Sequence, residues 1–144
     1  MITSRKITLN EHYSPIPTNV GDEIYPIGLF RFNITKIYEH INDGALSMDE
    51  ELIDVSKWFT NHYRGSVNED HLPAVDVTRM VIQAEIRPGM YEIIDGNHRM
   101  EKAYREGVKN INSYKFQGEQ LIPYFINKQA YITFVDYWNT KLNE

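Results

Sequence analysis

The chain has no cysteine among its 144 residues. Disulfides, a thiolate nucleophile and cysteine-ligated metal are therefore excluded, and a reducing compartment fits. Long apolar runs are absent as well. No stretch approaches the roughly 20 residues that a membrane-crossing helix needs. Met1 to Asn10 carries Arg5 and Lys6 but no apolar segment of the kind that marks a secretory leader. A cytoplasmic protein with no membrane partner is expected. Positive charge is scarce too: 15 Lys and Arg stand against 20 Asp and Glu, giving a formal charge of −5 and a pI near 5.5. Gripping duplex DNA ordinarily takes a basic face that neutralises phosphates. No run of lysines and arginines supplies one, so DNA binding and nuclease action rank low.

What is present is ordinary for a globular protein: 42% hydrophobic and 24% charged residues. The length suffices to bury a core in one domain. Ten tyrosines imply a core or binding face that is aromatic with polar edges. Residues 1–26 hold Pro15, Pro17 and Pro26 and little periodicity. They read as an irregular N-terminal arm with one short strand at Lys6–Leu9. Residues 27–144 read as an α+β domain, a small mixed sheet with packed helices.

Within that domain, residues 28–33 alternate as a strand, and Ile34, Ile37, Tyr38 and Ile41 recur at helical spacing up to Asn42-Asp43-Gly44. Ser47-Met48-Asp49-Glu50 matches a capping box, followed by Leu52, Val55, Phe59 and Tyr63 on one helical face and Gly65 as a stop. Ala74 to Glu85 is β-branched and strand-like. Arg87-Pro88-Gly89-Met90 signals a turn into a second strand at Tyr91–Ile94, a hairpin. Met100, Ala103 and Tyr104 share a helical face that Gly107 closes. A further strand lies within Val108–Phe116, and Gln117-Gly118 marks a turn. Tyr131, Phe134, Val135, Trp138 and Leu142 form an apolar stripe on a C-terminal helix, for core packing or a homodimer contact.

The chemistry concentrates between the hairpin and the helix after it, at Asp95-Gly96-Asn97-His98-Arg99. The first N–H groups of a helix lack intrahelical partners, and the helix dipole adds partial positive charge there. An anion fits such a place. Gly96 permits close backbone approach. Arg99 offers a planar fork suited to phosphate oxygens, and His98 both donates and accepts near neutral pH. Asp95 can cap the helix, orient His98, hold Mg²⁺ or act as a base. Charge-assisted hydrogen bonds contribute ~1.5–3 kcal/mol each, whereas micromolar affinity takes about 8 kcal/mol. The turn thus accounts for phosphate contact and leaves recognition of the rest of a ligand to other residues.

This segment also carries a resemblance. Tyr91 to Ala103 with the Asp95–Arg99 box, then Gly107, Ile111 and Tyr114, resembles the core of ParB-like domains in the ParB/sulfiredoxin superfamily. There a strand leads into a Gly-x-x-Arg box, a helix, a glycine and another strand. The Leu72–Glu85 region matches that layout, so the likeness spans residues 27–116. The Asp-Gly-x-His-Arg form is similar to stand-alone members, among them free-serine kinases. The resemblance implies a nucleotide- or phosphate-binding box at Gly96, Asn97, His98 and Arg99. Partition ParB proteins bind CTP there, sulfiredoxins bind ATP phosphates there beside a catalytic cysteine, and the kinases transfer a phosphoryl group. Sulfiredoxin chemistry is excluded here for want of cysteine, and no segment after Phe116 reads as the helix-turn-helix of a partition protein.

Two function classes follow. One is an NTP-dependent phosphotransferase or nucleoside-triphosphatase using ATP or CTP with Mg²⁺, with Asp95 and His98 as catalytic candidates. Glu39, Glu50 and Glu51 are carboxylates available as a base only by their position upstream. The other is a non-catalytic, nucleotide-gated or DNA-partitioning-related binding module. The bland reading is a plain Asp-Gly turn. It would follow if Arg99 were drawn into a salt link and the helix amides were filled by the protein's own side chains. His40, His62 and His71 have no metal-ligand spacing, and Glu101-Lys102 with Arg105-Glu106 reads as a solvated helix face.

Overall fold

The computed structural model describes residues 5–27, 30–65 and 67–144. The architecture is α+β, as the sequence implies. Strands β1 (Ile24–Ile27) and β2 (Phe30–Asn33) pair antiparallel, Ile24 opposite Asn33. Helix α1 (Ile34–Asn42) follows directly, with Asn33 accepting from the Lys36 N–H as its cap. Four further strands are hydrogen-bonded in the order β3 (Asp49–Asp54), β6 (Asn110–Phe116), β4 (Val81–Arg87) and β5 (Met90–Asp95). Helices α2 (Val55–Asn61), α3 (Asn97–Arg105) and α4 (Lys128–Leu142) complete the order. Gly28 and Leu29, part of the strand expected over 28–33, lie outside the described residues.

The chain gathers into two compact units. One comprises the segments up to Ser47, Ala84–Glu92 and Gln117–Glu144; the other comprises Met48–Gln83 and Ile93–Phe116. In the first, Phe32, Ile34, Leu121, Phe125, Phe134 and Trp138 have no measurable or almost no exposure. The stripe expected on the last helix is thus core at Tyr131, Phe134, Val135 and Trp138, while Leu142 is only half-buried. The polar centre of this unit is Glu85, 1% exposed. Its carboxylate accepts two bonds from the Arg5 guanidinium at 2.6 and 2.8 Å and one each from the N–H of Gly89 and Gly118. Burial alone would raise the Glu85 carboxyl, but these four donors overturn that and hold it below its ordinary value. Gly118 sits where any Cβ would run into the Trp138 ring.

The N-terminal segment does not form the expected strand at Lys6–Leu9. Its backbone is satisfied by α4 side chains instead. The Ile7 N–H and C=O both bond the Asn139 amide, and the Trp138 indole N–H donates to the Arg5 carbonyl. The strand in this region is β1, at the arm's end.

In the second unit, Ile53, Val55, Val81, Ile93, Met100, Ala103 and Ile111 make the core. Here the capping box expected at Ser47–Glu50 is not formed. Asp49–Asp54 is strand, paired antiparallel with β6 from Asp49↔Lys115 to Asp54↔Asn110. The helix cap lies seven residues later than Ser47, at Asp54, which accepts from the Lys57 N–H at 3.1 Å. Only Val55 of the expected face is buried; Leu52 and Tyr63 are 58% and 93% exposed. Tertiary pairing outweighed a local motif that strand and helix both satisfy. The Pro88-Gly89 turn between β4 and β5 stands as expected, Gly89 having φ of 80°. Ahead of β4, Leu72–Ala74 is a 3₁₀ turn rather than strand, and Gln117-Gly118 opens a 3₁₀ helix, Gly118–Tyr124.

Candidate anion site at the start of α3

Strand β5 ends on Asp95, and α3 begins on Asn97, as the sequence implies. Between them Gly96 takes φ 100° and ψ 23°, the left-handed region, and its carbonyl accepts the Met100 N–H at 3.0 Å. A Cβ at Gly96 would stand 2.5 Å from Val81 Cγ1 and 2.9 Å from Arg99 Nη2. Glycine is required here both for the sign of φ and for room. The room, however, is taken by the protein's own Val81 and Arg99 rather than left open for a ligand.

Arg99 Nη2 donates to Asp95 Oδ2 at 2.9 Å, with the two side chains 13% and 17% exposed. A cation in the first helical turn opposes the helix dipole, and Asp95 is the carboxylate that compensates it. The salt link leaves one defect: Arg99 Nε is buried and has no hydrogen-bond partner among the described residues. Asn97 turns back, its Nδ2 donating to the Ile93 carbonyl at 3.3 Å. His98 Nε2 accepts the Asn68 N–H at 3.1 Å, so the neutral ring carries its proton on Nδ1. The ring of His71 stands edge-on to His98 at 5.2 Å between centroids. Asp95 and Arg99 are therefore brought together, whereas Asn97 and His98 are each directed to a separate backbone group.

The amides fare differently. Gly96 has no side chain with which to cap, and no side-chain cap closes α3. The N–H groups of Asn97, His98 and Arg99 belong to the first turn and have no intrahelical acceptor. Of the two conditions for a plain turn, the salt link is met, and among the described residues no side chain fills the amides.

Further along α3, the expected solvated face is a charge network. Glu101 is 4% exposed and accepts from Arg64 at 2.5 and 2.9 Å and from Arg105 Nε at 2.6 Å. Arg105 also grips Glu69 with both terminal nitrogens, and Arg64 lies over the Tyr104 ring. The bonds from Arg64 and Arg105, opposed by burial, hold the Glu101 carboxyl below its usual range. Lys102 Nζ donates to the carbonyls of Pro73 and Val75. A groove of about 500 Å³ lies among Glu69, Leu72, Pro73, Lys102, Arg105 and Glu106. Its cations already have partners, which leaves it poor at holding an anion.

Most of the other candidates are engaged in structure. Glu51 accepts from Lys115 and Gln83, Glu39 pairs with Lys36, and Glu50 is an exposed residue of β3. His40 shares a hydrogen bond with the Tyr124 hydroxyl, and His62 stacks on Trp58. Among the described residues no group of three or more histidines and carboxylates is placed to hold a metal ion. Asn68, Glu69 and Arg64 left no mark in the sequence, since their partners His98, Arg105 and Glu101 lie roughly 30 residues or more away along the chain. Among the described residues no helix is long and apolar enough to cross a membrane. Scans of protein-family models, curated proteins and solved structures find no match to this chain.

Proposed function

We propose that this chain is a ParB-like nucleotide- or phosphate-binding protein whose anion site is the start of α3. The observation that carries the reading is the uncapped first turn: three N–H groups at the positive end of a nine-residue helix, after a glycine that brings no side chain. Arg99 supports it from the same turn. Its Nε is an orphaned buried donor, a defect that costs free energy and that exchange of Asp95 for a phosphate oxygen would relieve. Asn97, His98 and Arg99 would hold the phosphate through their backbone N–H groups, and ATP or CTP with Mg²⁺ is the ligand class the family likeness implies.

Between turnover and gating, the geometry favours a binding module. Both catalytic candidates are committed elsewhere, Asp95 to Arg99 and His98 Nε2 to the Asn68 amide. Thermal melts with ATP, CTP and GTP, each with Mg²⁺, combined with phosphate-release assays, test this. A nucleotide at a hundred times its Kd should stabilise the fold by about 2.7 kcal/mol with no turnover. Steady phosphate release would return the phosphotransferase or nucleoside-triphosphatase reading to first place. No stabilisation by any of the three nucleotides would remove both.

A further inference from the structure

Strand β3 ends the four-stranded order, and among the described residues nothing pairs with its outer side. The pairing with β6 fixes which backbone groups face outward. The Val55 N–H donates to the Lys109 carbonyl, and the Ser113 hydroxyl donates to the Glu51 carbonyl. Odd-numbered residues of β3 thus turn their polar groups toward β6, and Glu50 and Leu52 turn theirs away. Leu52 is 58% exposed and stands between Glu50 and Asp54 at alternate positions on the same face. Beside it runs a groove of about 360 Å³ whose lining includes Leu52, Asp54, Lys57, Trp58 and His62. An open edge, an apolar side chain and an aromatic-walled groove coincide between Asp49 and His62.

We propose that this edge is a docking strand for an extended basic peptide of a partner protein, which adds antiparallel to β3. Charge selects the occupant. Cross-strand neighbours interact directly, so the residues opposite Glu50 and Asp54 should be basic and the one opposite Leu52 apolar. A second copy pairing through β3 would set Asp49, Glu50 and Asp54 against the same acidic run, which like-charge repulsion disfavours. Acidic side chains on an edge also serve to ward off pairing; that role and docking give opposite results below.

The probe is a synthetic peptide with the alternation Lys-Thr-Val-Thr-Lys, titrated into the ¹⁵N-labelled full chain. The expected result is saturable shifts centred on the Glu50 and Leu52 amides, with their hydrogen exchange slowed at least about tenfold. Binding should weaken with added salt. Leu52→Pro removes an outward N–H without removing a bond to β6, and Glu50→Lys reverses one charge while leaving the backbone alone. Each should weaken the peptide at least about tenfold while retaining the wild-type melting transition. If Leu52→Pro fails to fold, Glu50→Lys carries the test alone. Absence of shifts, equal binding of a Glu-Thr-Val-Thr-Glu peptide, or concentration-dependent self-association through β3 would each overturn the proposal.

Discussion

At Gly96 two requirements meet in one atom's worth of space. Positive φ costs an L-residue roughly 1–2 kcal/mol, and a methyl pressed against buried Val81 adds overpacking of about 1–3 kcal/mol. Gly96→Ala should therefore lower stability by at least about 2 kcal/mol, read as a shift of the urea midpoint with unchanged slope. The Asp95–Arg99 link makes a different forecast. Asp95 competes with any anion for the guanidinium, so Asp95→Asn should strengthen phosphate or nucleotide binding several-fold, by isothermal titration. Arg99→Lys keeps the charge but loses the fork, and should weaken binding. Weaker binding by Asp95→Asn would point instead to a carboxylate that helps hold the ligand through Mg²⁺.

At the scale of elements, α3 is held from outside its own sequence. Glu101 ties it to Arg64, and Arg105 ties it to Glu69. Glu101→Gln should cost about 1–3 kcal/mol through lost charge-assisted bonds, measured by denaturant melts. What was legible here was local. The Asp95–Arg99 turn, α3, its Gly107 stop and the Pro88-Gly89 turn all stand where residue chemistry puts them, because each depends on backbone preferences within a few positions. The Asp49–Asp54 strand was not legible: the Ser47-to-Glu50 spacing also fits a helix start, and only pairing with Asn110–Lys115 decides it. The burial of Glu101 was hidden for the same reason. A helix carrying Glu, Lys, Arg and Glu at these positions reads as solvated until Arg64 arrives from the segment after α2.

For the whole molecule, acid sensitivity should concentrate in a few buried carboxylates. Glu85 and Glu101 are both held below their ordinary values in the fold. The unfolded chain then binds more protons between the lowered folded value and the usual one near ~4.3. Their contribution is complete above that usual value and is lost as pH falls through the folded one. Glu85→Gln should flatten the acid limb and, by leaving Arg5 and two amides short of an acceptor, cost about 2–4 kcal/mol at neutral pH. Trp138 lies against Arg5 in the Glu85 unit, so Trp58→Phe leaves a single tryptophan, excited at 295 nm, that reports on it during the titration.

The most direct measurement is a ¹⁵N titration of the full chain with CTP, ATP and inorganic phosphate, read at the amides of Asn97, His98 and Arg99. Saturable downfield shifts at these three, lost in Arg99→Ala with the rest of the spectrum preserved, are the predicted result. Unmoved amides at millimolar phosphate and nucleotide, with shifts elsewhere or none, would contradict it and leave the turn a purely structural joint.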